Sequence, residues 1–259
     1  MKKYNTGLVL SGGGARGFAH LGVIEALNEV GIYPDVISGT SAGAIVGSLY
    51  ADGHSPREIM EMLHSTKRLD YLWPTVPKDG FLQISGIEKI LKTNLRAKTF
   101  EELKIPLFVS ATDLNNGKPV YFSKGELVNP VIASASIPVL FKPVIINKIQ
   151  YVDGGVLDNL PIRPIEHQCR CYIGSFVNPT GYEKSFTNLI QIAERTFMLN
   201  MSKEVMEKSK KFDIFISPRE LMNYKILDPE KSDEVFQIGY NTTKQILNGL
   251  NLRSILQGK

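Results

Sequence analysis

A chain of 259 residues, 43% hydrophobic and 22% charged, can bury a substantial core and lies outside disordered or fibrous compositions. Its formal charge of +4 is small for the length and no Lys/Arg run accompanies it, so nucleic acid is not an expected partner, although attraction to an anionic surface stays open. No apolar run approaches the roughly eighteen residues of a membrane span, and Gly7 to Leu10 is too short for a secretory leader, so the expectation is a cytoplasmic protein, at most peripheral at a membrane surface.

Leu8-Val9-Leu10 reads as a short buried strand, broken by the glycines from Gly12 to Gly17. Leu21, Ile24 and Leu27 then recur at helical spacing within Ala19 to Val30, and Gly31 is a natural stop. Val36-Ile37 forms a second strand, and an apolar helix with Ile45, Val46 and Leu49 starts at Ala42. This alternation predicts a parallel sheet with helices on its faces. Ser55-Pro56 opens another helix. Leu69 to Leu82, with Trp73, Pro74, Pro77 and Phe81, is apolar but irregular: either a lid or lipid-contact surface, or a loop packed onto the core.

Ser85 caps a helix through Leu95, Ile105 to Ser110 is a buried strand, and Asn116-Gly117 turns a hairpin into Val120 to Phe122. Asn147-Lys148 turns a second hairpin, whose return strand, Ile149 to Val152, ends on Asp153-Gly154-Gly155. A strand over Cys171 to Val177, a long helix over Phe186 to Lys211, a strand over Phe212 to Ser217 and a closing helix over Asp233 to Leu256 complete the reading. Cys169 and Cys171 read as reduced core residues, because a lone C-x-C is too small a ligand set for a metal. No repeat, low-complexity segment or linker interrupts the chain. One domain is expected over residues 1–259, with a motif-bearing core at about 6–165 and a helical C-terminal part at about 186–256.

Gly39-Thr40-Ser41-Ala42-Gly43 is a G-x-S-x-G sequence between a strand and a helix. A serine exposed on so sharp a turn needs small neighbours, and the helix that follows points its first amides at charge developing beside it. The pentapeptide alone also fits a tight turn with a capping serine. Gly12-Gly13-Gly14-Ala15-Arg16-Gly17 has two readings. It matches the dinucleotide fingerprint, but the second strand ends on Thr40 and Ser41 where that fold needs an acid. The alternative is a concave array of glycine amides suited to an oxyanion. Arg16 either steadies the loop or holds an anionic head group, the structural role being favoured.

Four histidines are available as a base: His20, His54, His64 and His167. The α/β-hydrolase order of Ser, acid, His is met formally by Asp113 or Asp153 with His167. That fold, however, needs several strands before its nucleophile, and Ser41 follows only two; His167 reads as a surface residue. A carboxylate can take a serine proton directly where a dry setting raises its basicity. Asp153 stands at a strand end before two glycines, although Asp-Gly alone is only a turn signal.

In order and spacing, these blocks, together with Ala133-Ser134-Ala135-Ser136-Ile137-Pro138, Phe141 and Pro143, resemble the patatin-like phospholipase family over roughly residues 6–165. The resemblance implies an α/β fold with one mainly parallel central sheet flanked by helices, related to the cytosolic phospholipase A2 catalytic domain. It implies a Ser41–Asp153 dyad without a catalytic histidine and an oxyanion hole at Gly12, Gly13 and Gly14. It also implies an acyl-serine intermediate, lipid ester substrates, and neither metal nor other cofactor. The rival expectations are a nucleotide-binding protein that uses the glycine loop and a regulatory or interaction protein on a hydrolase scaffold.

Overall fold

The alternation of short apolar strands with helices folds into a mixed α/β arrangement in the computed structural model, which describes residues 2–64, 84–187, 189–202, 205–227 and 229–251. Within them one sheet contains β1 (Tyr4–Leu10), β2 (Val36–Thr40), β3 (Leu107–Asp113), β4 (Lys118–Phe122), β5 (Val144–Ile146), β6 (Ile149–Asp153), β7 (Cys169–Ser175) and β8 (Ile214–Ile216). The order is β5-β6-β3-β2-β1-β7-β8, with β4 paired to β3. The run β3-β2-β1-β7-β8 is parallel throughout, whereas the two hairpins add antiparallel pairs at one side.

The helices are α1 (Phe18–Glu29), α2 (Ala42–Ala51), α3 (Pro56–His64), α4 (Ser85–Asn94), α5 (Val128–Ser134), α6 (Leu189–Ser202), α7 (Val205–Ser209) and α8 (Ser232–Asn248). Period-2 alternation decides which strand residues they cover. Leu8, Leu10, Ile37, Leu107, Val109, Ile173 and Ile214 face the main core with residues of α1 to α5 and α8. Val9, Val36 and Phe108 face a smaller cluster on the other side, under Leu160, Ile162 and Ile165.

Most predicted elements are present with shifted ends. Ser55 and Glu58 close a reciprocal capping box at the start of α3. Ser85, by contrast, is the first residue of α4 and makes no capping bond. The Asn147-Lys148 hairpin exists, both residues having positive φ (50° and 68°), as a two-residue turn that follows strand twist requires. The helix expected over Phe186 to Lys211 is seen as α6 and α7, and α8 stops at Asn248. Helix α5 carried no periodic signal: at seven residues it is too short for one, and Pro130 is tolerated because it sits in the first turn. The irregular segment with Trp73 and Phe81 lies outside the described residues.

Candidate active site

Ser41 is the hinge between β2 and α2. Its backbone has φ 53° and ψ −121°, a region that L-residues rarely occupy. The two flanking glycines make that turn possible. A Cβ on Gly43 would overlap the Leu10 and Ser11 carbonyl oxygens, and one on Gly39 would lie 2.6 Å from Gly43 O. Backbone therefore packs on backbone on both sides of the serine, and α2 starts directly against the end of β1. The Ser41 N–H donates to Ser134 Oγ (2.8 Å), which donates in turn to Ser110 O (2.6 Å). Ser41 O accepts from the Ala44 and Ile45 amides. The side chain is held at a buried site, 5% exposed.

Strand register brings Asp153 to the same point. Val109 and Ser110 pair with both β2 and β4, while Ala111 to Asp113 pair with both β4 and β6. Strands β2 and β6 therefore follow one another along one edge of β3, and β4 occupies the other. They approach head to head: Thr40 is opposite Ser110, and Asp153 is opposite the next residue, Ala111. The Asp153 N–H donates to Ser136 O (2.9 Å), and its Oδ1 accepts from the Gly155 N–H (2.7 Å). Oδ2 is buried without a hydrogen bond. Burial pushes the carboxyl up to about 7; the Ser41 hydroxyl and the Gly155 amide favour the charged form and offset part of that rise. The hydroxyl is close enough to act on the carboxylate electrostatically but stands outside hydrogen-bond geometry. The result is a dry carboxylate that ionises near neutral pH close to a buried serine on a strained turn.

The glycine loop follows β1 and reaches the same place, since a Cβ on Gly12 would lie 3.0 Å from Ser41 Cβ. The Gly12 N–H is taken by Asn159 Oδ1 (3.0 Å), whereas those of Gly13 and Gly14 donate to no group among the described residues. Gly14 has φ +54°, and a Cβ there would run into Ile226 O. Arg16 is 4% exposed and spends its guanidinium on main-chain carbonyls: Tyr224 O (2.7 Å), Met222 O (3.4 Å) and Pro179 O (3.5 Å). It ties the loop to the C-terminal part of the chain.

Neither His20 nor His167 is set up to serve as the base. His20 is fully buried between Ser11 O and Ser175 Oγ, both at 2.8 Å. The carbonyl fixes the proton on Nε2, and burial lowers the imidazole to about 4, so it stays neutral. His167 is exposed before the start of β7, next to Lys2 and the beginning of β1. A strand of this length puts it roughly 20 Å from the serine end of the sheet. Beside Ser41 opens a cavity of about 130 Å³ with an almost wholly apolar lining, including Phe18, Ile45, Ile137, Phe141 and Ile226. Leu63 and Ile84, on either side of residues 65–83, also line it.

The arrangement joins a nucleophile-type serine, a base-type carboxylate, open backbone donors and an apolar chamber. The sequence singles out Ser41, Asp153 and the loop, and gives the Ser134–Ser136 stretch no role of its own. That stretch turns out to hold both members of the pair, Ser134 on the Ser41 amide and Ser136 on the Asp153 amide. Asn159 was not singled out, and its position shortly after Asp153-Gly154-Gly155 was the only local signal for it.

Comparison with known proteins gives a consistent picture. The sequence model of the patatin-like phospholipase family matches residues 8–165. An uncharacterized NTE family protein of Mycobacterium tuberculosis (strain H37Rv) is 38% identical over 164 residues, covering 61% of this chain and 44% of that protein. Lysophospholipase NTE1 of Kluyveromyces lactis is 28% identical over 267 residues, covering 90% of this chain and 18% of that protein. The chain thus spans less than half the length of these curated relatives. Among solved structures, VipD from Legionella pneumophila shares the fold with a TM-score of 0.57 at 19% identity, covering 95% of this chain and 67% of that one.

Proposed function

This chain belongs to the patatin-like phospholipase family, and from that premise we propose that it hydrolyses carboxylic esters of lipids with Ser41 as nucleophile and Asp153 as its only base. The observation that carries the reading is the Asp153 carboxylate, buried and ionising at about 7, brought head to head with the strained Ser41 turn. Asp153 takes the hydroxyl proton as Ser41 Oγ bonds to the ester carbonyl carbon. The carbonyl oxygen becomes an oxyanion and is met by the open N–H groups of Gly13 and Gly14 and the first turn of α2. Collapse of that intermediate breaks the ester C–O bond, and the leaving alcohol departs with the proton from Asp153. Water then attacks the acyl-serine, gives its proton to Asp153, and the carboxylic acid is released as Ser41 regains the proton.

The apolar cavity at Ser41 favours a hydrocarbon acyl chain over a polar one, because burying polar groups without partners is costly. A lysophospholipid or phospholipid at a membrane surface supplies such a chain, although no helix among the described residues is long and apolar enough to cross a membrane. A dinucleotide is a poor fit to the glycine loop: Ser41, not an acid, follows β2, and the Gly12 N–H is already engaged. The test is turnover of a long-chain lysophospholipid and of a short soluble ester, with mass spectrometry for an acyl group on Ser41. Ser41→Ala should abolish turnover and acylation on both substrates. Turnover that persists in that variant would remove Ser41 from the mechanism.

A further inference from the structure

Two peptide planes meet at Gly12, and three of their four polar ends are held by side chains. The Ser11–Gly12 plane has its C=O on His20 Nε2 (2.8 Å) and its N–H on Asn159 Oδ1 (3.0 Å). The Gly12–Gly13 plane has its C=O on Asn178 Nδ2 (2.8 Å) and on Ser11 Oγ (2.9 Å). The fourth end is the Gly13 N–H, which has no acceptor among the described residues. A carbonyl only accepts, so the Asn178 amide must turn its nitrogen toward Gly12 O. The peptide is trans, so its N–H points opposite to its C=O. Gripping Gly12 O therefore aims the Gly13 N–H to the side away from Asn178. The grip matters at this bond because a peptide between two glycines meets no Cβ penalty on rotation. Unheld, it turns its carbonyl, an acceptor, to where a donor is needed.

Asn178 is fully buried, just beyond the end of β7. The pairing of Leu10 with Ser175 carries the chain after β7 alongside the glycine loop. We infer that Asn178 is a positioning residue of the oxyanion hole, setting the direction of the Gly13 N–H through the Gly12 carbonyl. The inference rests on the acyl-hydrolase reading given above.

Asn178→Asp keeps the size and removes the donor. On a soluble short-chain ester its kcat should fall about 10- to 100-fold, the loss typical of a misplaced catalytic group, with KM within about 2-fold of wild type. The Gly13 amide resonance, assigned in the wild-type protein, should move in the variant. Ser11→Ala removes the other donor to the same carbonyl and should show the same split between kcat and KM; it carries the test if Asn178→Asp does not fold. A folded variant with wild-type kcat, a loss confined to KM, or an unmoved Gly13 resonance overturns the inference. Turnover that survives Ser41→Ala instead sinks the acyl-enzyme reading, and the Gly13 resonance still reports whether Asn178 sets the plane.

Discussion

Asp153 departs far from the ordinary behaviour of a carboxylate, and the cause is removal from water. A carboxylate at 1% exposure with one N–H partner and one unpartnered oxygen is poorly solvated, so its charged form is penalised and its pKa rises to about 7. A general base must be ionised to work. We therefore expect kcat/KM on a soluble ester to rise with pH through about 7 and level off above it, read from a pH–rate profile of the wild-type protein. Asp153→Asn should lower turnover by ~100- to 10,000-fold and remove that inflection. The same shift governs stability. The folded state holds the Asp153 proton up to about 7 while the unfolded chain releases it near 3.8, so the folded protein loses stability as pH rises between those values. The whole shift corresponds to roughly 4 kcal/mol. Asp153→Asn, which never ionises, should accordingly be more stable than wild type at pH 8 and show little of that gain at pH 4, in denaturant titrations at the two pH values. An equal stability difference at both would rule out an ionised, poorly solvated Asp153.

At the scale of elements, the active turn is held from outside by α5. Its last residue, Ser134, supplies the acceptor for the Ser41 N–H among the described residues, and its hydroxyl reaches Ser110 O on β3. Ser134→Ala leaves that amide buried and unpaired, at a cost of about 1–3 kcal/mol. The loss should appear as a lower unfolding midpoint together with reduced turnover, since the amide belongs to the proposed nucleophile's own residue. The contact between α2 and β1 is tighter still. Gly43→Ala would force a methyl into the Leu10 and Ser11 carbonyls, so the helix must shift. Overpacking of this kind costs about 1–3 kcal/mol, and displacing α2 moves Ser41 itself. Near-wild-type turnover in Gly43→Ala would show that the turn tolerates what the packing forbids.

At the scale of the whole molecule, the chemistry-bearing motifs lie in the first two thirds of the chain, yet part of their support comes from the remainder. Strand β7 covers the edge of β1 opposite β2 along six paired positions. Helix α8 packs on α1 so closely that Cβ atoms on Gly22 and Gly239 would overlap backbone of the other helix. Arg16 places its charge on the carbonyls of Pro179, Met222 and Tyr224, and Ile226 and Leu227 line the cavity at Ser41. A fragment ending at residue 165, the limit of the family match, leaves β1 with an open edge and Arg16 without those acceptors. Such an edge invites pairing between chains. The fragment should be insoluble or, if soluble, devoid of ester turnover, as judged by soluble yield and assay beside the full chain; a soluble, active fragment would contradict this dependence.

The sequence by itself determined most of the elements and singled out the candidate pair Ser41 and Asp153, because each rests on local signals. Strand–helix alternation follows from apolar spacing. Gly39 and Gly43 mark the serine turn, and Asn116-Gly117 and Asn147-Lys148 mark the hairpins; Asp153 stands at a strand end before two glycines, a turn signal that only the family resemblance reads as a base. The tertiary structure alone decided what depends on register between distant segments. That β2 and β6 share one edge of β3, so that Ser41 meets Asp153, cannot be read from either segment. Nor can the neutral state of His20, the carbonyl clamp of Arg16, or the hold of Ser134 and Asn178 on backbone far away in the chain. Those bonds form only once the strands have chosen their neighbours, and a polar side chain's partner is set by that choice rather than by its own type.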